Sequence, residues 1–155
     1  MKVPSTIKAT DAPKREGSRY PEPHNAPCMN RTKHLLGNVF GLDQFGVNLA
    51  VLQPGAWSSQ RHWHEKEDEF VYVLEGKITL SDDEGDHVLT PGMCAGFKAG
   101  TGNGHCLKNL TDQPATYLEV GSRSADETAW YSDIDMKVSL INRKNTYTKK
   151  DGTPY

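Results

Sequence analysis

The stretch His62-Trp63-His64-Glu65-Lys66-Glu67-Asp68-Glu69 holds the residues of this chain best suited to chemistry. Side chains alternate faces along an extended strand, so residues two apart point the same way. His62 and His64 therefore present two imidazoles on one face, near enough to share an ion. Glu69 lies five positions beyond His64, an odd number, and plain alternation would turn it away. The charged run 65–68 reads as a turn that resets the register, and Glu69 opens the apolar run 69–75. A carboxylate entering a buried strand needs a partner. Two imidazoles and one carboxylate facing one ion, with coordination positions left open, are the usual basis of metal-assisted chemistry. A third histidine, His105, sits in a separate glycine-rich segment and shares a strand face with Asn109.

Holding these groups together requires strands joined by tight corners. From Phe45 onward, short apolar runs alternate with turn residues. The spacing predicts strands over about 46–53, 57–64, 69–75, 77–82, 86–90, 93–98, 105–109 and 116–121. Eight short strands at this rhythm indicate a sandwich or barrel. Parity then assigns an inside and an outside. Ser58, Gln60, His62 and His64 share one face; Trp57, Ser59, Arg61 and Trp63 share the other. On the next strand Glu69, Val71 and Val73 face inward, and Phe70, Tyr72 and Leu74 face outward. Outward aromatic sets on both strands need cover from the N-terminal arm or from a second subunit, which predicts a homodimer.

The pattern Gly55 … His62-x-His64-x4-Glu69-x6-Gly76 resembles the first motif of the cupin superfamily. Gly85-Asp86 … Pro91-Gly92 … Gly100 … His105-x3-Asn109 resembles the second. This chain departs from the family pattern in the Gly55–His62 spacing, in Lys98-Ala99-Gly100, and in a longer loop, 101–104, before His105. The resemblance covers about residues 47–121. It implies an all-β double-stranded β-helix, a jelly-roll cupin barrel, over 34–121. An extended N-terminal arm would occupy 1–33, where five prolines discourage helix. A C-terminal extension would occupy 122–155, with a turn or short helix over 130–135 and a final strand or strap over 136–141. The flanking segments, including 151–155, also resemble those of small single-domain (cupin-2-like) proteins that share no settled activity.

With the resemblance, His62, His64, Glu69 and His105 form a three-histidine, one-carboxylate metal set. Nitrogen and oxygen donors without thiolate suit iron, manganese, nickel, copper or zinc. Four protein ligands leave two positions on an octahedral ion, enough for a small ligand to chelate through two oxygens. That implies a small metalloenzyme acting on a polar, oxygen-rich metabolite by isomerase, lyase or dioxygenase chemistry. The alternative is a non-catalytic module that binds or senses a small molecule. Ser58 and Gln60, on the histidine face, are the expected polar contacts around the bound group. The sequence assigns no catalytic acid or base.

The bulk composition narrows the partners. A chain of 155 residues is about one domain, and its apolar fraction of 35% is low. Net charge is −2, with no basic block of the kind nucleic acid requires. No apolar run approaches the ~20 residues of a membrane span, and the N-terminus lacks a signal-peptide core. Cys28, Cys94 and Cys106 are odd in number and lack metal-type spacing, so they read as reduced thiols of a cytoplasmic protein. Parity turns Cys106 away from His105, as a buried structural thiol. Asp133 and Asp135 lack the glycine and downstream glutamate of a calcium loop and read as a solvated turn.

Overall fold

The computed structural model describes residues 3–142 and 144–155. Among them the alternating runs become β1 (Lys14–Glu16), β2 (Arg31–His34), β3 (Phe45–Leu52), β4 (His62–His64), β5 (Glu69–Glu75), β6 (Ile78–Asp82) and β7 (Gly85–Leu89). They continue as β8 (Cys94–Phe97), β9 (Cys106–Lys108), β10 (Ala115–Ser122), β11 (Asp126–Tyr131), β12 (Lys137–Ile141) and β13 (Lys144–Thr148). The helical residues are confined to one α-turn, Leu36–Val39, and two 3-10 turns.

One antiparallel sheet runs β1-β2-β3-β10-β5-β8. A second group, β13-β12-β11-β4, and a third, β7-β6-β9, join through the bridges His62↔His105 and Trp57↔Lys108. They thus form one curved layer, and β3-β10-β5-β8 faces β4-β9-β6-β7 as in a jelly roll. The N-terminal segment lengthens the first sheet beyond β3. The C-terminal strands lengthen the second beyond β4.

The core forms between the two layers from Leu52, Val73, Ile78, Leu107 and Tyr117. On β5 the expected parity holds: Val71 and Val73 are 5% and 0% exposed, while Phe70, Tyr72 and Leu74 are 42%, 39% and 39% exposed. After β5 the chain turns at Gly76 with φ +74, where an added Cβ would meet the Pro114 carbonyl at 2.6 Å. Only glycine fits that corner. Register also fixes an inner face across the first sheet. Glu69 pairs with Gly121, and Val71 with Glu119. The next row on the same face runs Val73, Tyr117, Ala50, Lys33, Arg15.

Three expectations need correction. The strand expected over 57–64 is reduced to β4, because 57–61 takes irregular bonds instead. Leu107 N–H donates to Ser58 Oγ at 3.0 Å, the Cys106 thiol to the Ser59 carbonyl at 2.9 Å, and Trp57 N–H to the Pro27 carbonyl at 2.8 Å. Serine bonding of this kind competes with a ladder. Second, Trp130 and Tyr131 are not in a turn or short helix but complete β11. Glu127, Ala129 and Tyr131 alternate inward at 6%, 2% and 3% exposure, and β4 offers the edge they pair with. Third, the outward tryptophans are met by the chain itself. Trp63 stacks on Trp130 at 6.4 Å with planes 18° apart, and the Lys108 ammonium lies 4.5 Å over Trp57. Phe70, Tyr72 and Leu74 keep no such cover.

Cys106 is fully buried, as parity implies, and the three cysteines are unpaired. No helix among the described residues is long and apolar enough to cross a membrane.

Candidate metal centre

β4 carries His62 and His64 on one side of the interlayer space, and β5 begins opposite with Glu69. His105 lies just before β9. Its N–H donates to the His62 carbonyl at 2.9 Å, and His62 N–H donates back to the His105 carbonyl at 3.1 Å. This two-way bridge sets His105 beside His62, ring centroids 4.9 Å apart. The three imidazoles converge on one carboxylate oxygen. Glu69 Oε2 lies 2.8 Å from His105 Nε2, 3.5 Å from His64 Nε2 and 3.8 Å from His62 Nε2.

The electrostatics of this cluster favour a cation at its middle. The His62 Nδ1 lies 2.9 Å from the Gln60 carbonyl, which can only accept, so the ring proton sits there and a lone pair on Nε2 faces Glu69. Burial pushes the His62 imidazole down to about 3, against the opposing pull of Glu69, so the ring is neutral. Burial alone would raise the Glu69 carboxyl; a donated proton at His105 foremost, or positive charge at the three ring positions, is what holds it well below its usual range. The approach of His105 is short without being aligned as a hydrogen bond, and among the described residues the buried Oε2 has no hydrogen-bond partner. A buried carboxylate oxygen facing ring lone pairs is costly unless a positive ion intervenes. His62, Glu69 and His105 present ligand atoms all within 4.8 Å of one another. The donor set fits a divalent transition metal.

The surroundings hold the ligands in place. Phe97 stacks on His105 at 3.6 Å with planes 3° apart. Behind His64 lies Glu127, with Oε1 4.0 Å from His64 Nδ1. His64, Glu67 and Glu127 form a second close group of possible donors. Glu127, however, is already satisfied: it accepts the backbone N–H groups of Glu65, Lys66 and Thr128 at 2.8, 3.0 and 2.8 Å.

Of the polar contacts expected from sequence, Ser58 lines the cavity over the centre. Gln60 is not brought there. Its amide donates to the His24 carbonyl at 2.8 Å, because 57–61 is not a strand and parity does not reach back from His62. The cavity holds about 410 Å³. Sequence reasoning missed much of its lining: Arg15, Arg19 and Arg31 from the N-terminal segment, and Tyr131 and Tyr147 from the C-terminal one. Only pairing across distant strands places them, so no local signal marked them. Tyr117 also lines it, buried, with a hydroxyl that has no partner and a pKa that burial raises well above the ordinary value.

The cupin domain family (Cupin_2) matches residues 48–121. A sugar phosphate isomerase of the cupin superfamily from Silicibacter pomeroyi is 49% identical, with a TM-score of 0.93, covering 97% of this chain and 96% of that one. A candidate sugar phosphate isomerase from Acidithiobacillus ferrooxidans is 26% identical, with a TM-score of 0.73 over 81% of this chain and 80% of that one. A polyketide cyclase from Streptomyces resistomycificus is 25% identical, with a TM-score of 0.63 over 79% of each chain. No curated protein matches the chain.

Proposed function

The chain belongs to the cupin superfamily, and from that premise we propose that it is a metal-dependent isomerase of a sugar or sugar phosphate. The observation that carries the proposal is the convergence of three Nε2 atoms on the partnerless Glu69 Oε2, at the wall of a polar cavity. His62, His64, Glu69 and His105 would hold an iron, manganese, nickel, copper or zinc ion. Bound there, the ion supplies a Lewis acid that polarises a carbonyl or hydroxyl of a chelating substrate. The isomerase activity in the name of the Silicibacter pomeroyi protein, at 49% identity, favours isomerisation over lyase or dioxygenase chemistry.

The chain's own groups do the positioning. The Gln60 carbonyl keeps the His62 proton on Nδ1, leaving Nε2 free to ligate. Phe97 fixes the plane of His105. Tyr117 keeps its phenolic proton and offers it to a sugar oxygen inside the cavity. Ser58 adds a hydroxyl to the same lining.

Elemental analysis of protein purified without added metal should find about one transition-metal ion per chain. His62→Ala/His64→Ala should lose it. Metal retained in that double variant would end the proposal. Metal-replete protein should interconvert an aldose and its ketose, followed by proton NMR. Ligand binding without turnover in a broad sugar and sugar phosphate screen would establish the binding-module reading in its place.

The exposed Phe70, Tyr72 and Leu74 support a homodimer formed on the outer face of β5. Tyr72→Lys/Leu74→Lys should shift the light-scattering mass to that of one chain. The three unpaired cysteines support a cytoplasmic location.

A further inference from the structure

We propose that Arg15, Arg19 and Arg31 form a phosphate subsite that grips the end of a sugar phosphate remote from the histidine centre. The identity of the sugar end rests on the isomerase reading; the anion site rests on the arginines alone.

Arg15, Arg19 and Arg31 all line the cavity that contains His62, His64, Glu69 and His105. Other charges in that lining are already engaged. Lys33 reaches Glu119 at 2.7 and 2.9 Å, and Glu119 also accepts from Asn48. Glu16 is met by Lys14 at 2.7 Å, and Glu67 accepts the Ser124 N–H at 2.7 Å. Arg123 donates to the Leu42 carbonyl and to Asn38 at 2.8 and 3.0 Å. Among the described residues, no carboxylate lies within ion-pair distance of Arg15, Arg19 or Arg31. Arg31 donates its Nε to the Gly17 carbonyl at 2.9 Å and lies 5.9 Å from the Tyr20 ring centre, and among the described residues neither Nη has a hydrogen-bond partner.

These like charges press on one another. Partial burial lowers the Arg15 pKa first, and Arg19 and Arg31 lower it further against the opposing pull of Glu119. A dianion among them would remove that repulsion, and guanidinium forks match phosphate oxygens pairwise. Arg15 shares the inner face of the first sheet with Tyr117, one strand pair after another, and Glu69 lies on that same face. Four strand spacings separate β1 from β5, roughly 19 Å along the sheet. Arg31 is half-buried at the far end of the cavity, and Arg15 and Arg19 stand at its exposed rim. The ligand that fits is elongated, with its phosphate at the opposite end from the chelating oxygens. Tyr117 lies between, with an unpartnered hydroxyl for the sugar.

Isothermal titration of the full-length protein tests this with ribose 5-phosphate, glucose 6-phosphate, their parent sugars and inorganic phosphate. Wild type should bind at least one sugar phosphate about tenfold or more tighter than its parent sugar. Arg15→Gln/Arg19→Gln should erase that preference, with metal content and circular dichroism unchanged, and Arg15→Lys/Arg19→Lys should restore part of it. Wild-type affinity for the sugar phosphate in the glutamine variant would overturn the proposal. So would an equal affinity for sugar and sugar phosphate, or no binding of any phosphate. Removing metal with a chelator separates the two readings. If sugar phosphate affinity survives chelation but falls in the arginine variant, the subsite stands and the metal-chelation reading fails.

Discussion

The two ends of the chain extend the two sheets in parallel fashion, yet they bring opposite chemistry to the same cavity. The N-terminal segment adds β1 and β2 beside β3 and contributes arginines that lack carboxylate partners. The C-terminal strands add β11, β12 and β13 beside β4 and contribute the rings of Tyr131 and Tyr147, while their carboxylate, Glu127, is fully engaged behind His64. Tyr20 from the first meets Tyr131 and Tyr147 from the second, edge to face, at 5.4 and 5.8 Å. One extension holds β4 in place, and the other is placed to hold an anion.

Removing the Glu127 carboxylate tests the holding role most severely. Glu127→Ala strands the N–H groups of Glu65, Lys66 and Thr128 and loosens the turn between β4 and β5. It should cost about 3 kcal/mol or more in urea unfolding, and weaken metal retention. A loss under about 1 kcal/mol would remove the contrast between the extensions. Acid titration of the metal-free protein comes next, since Tyr131 helps keep water from His62, 5.7 Å away. In the folded chain His62 takes its proton only near about 3, whereas an unfolded histidine does so near 6.5. Between those values the unfolded state binds more protons, so stability rises with pH. It should fall by up to about 1.4 kcal/mol for each unit below 6.5. His62→Gln should flatten that slope.

Trp130→Ala uncovers Trp63 and removes the bond from Trp130 Nε1 to Glu65 Oε1 at 2.7 Å. Because both rings are half-exposed, about 1–2 kcal/mol is expected in the same assay. Arg15→Gln and Arg19→Gln should each change stability by no more than about 0.5 kcal/mol without ligand. A larger loss would make these arginines part of the scaffold.

The parts of this molecule legible in its sequence are those encoded over short spans. His62, His64 and Glu69 meet because two strands and one turn separate them, and parity on β5 sorts Val71 and Val73 from Phe70 and Tyr72. Gln60 leaves the histidine face because the strand begins only at His62, and its amide bonds the His24 carbonyl instead. β11 escaped because a buried glutamate interrupts its apolar alternation and is satisfied by N–H groups some sixty residues away in sequence. Arg15 and Arg31 reach the cavity through pairing of β1 with β2 and β2 with β3, and Arg19 lies in the connection between those strands, a placement no local pattern announces.

The loop before His105 is anchored at both ends to a single strand. Gly100 N–H donates to the His64 carbonyl at 2.8 Å, and His105 is bridged to His62. The intervening residues form a closed circuit on β4, so added length bulges outward and exerts little pull on the ligand. Loop closure becomes only about 0.6 kcal/mol less favourable with each doubling of length. Across relatives, the count of residues between Gly100 and His105 should therefore be free to drift, while the two histidines of β4 tolerate no change in spacing. Inserting two further glycines after Gly102 should leave the metal content of the protein intact.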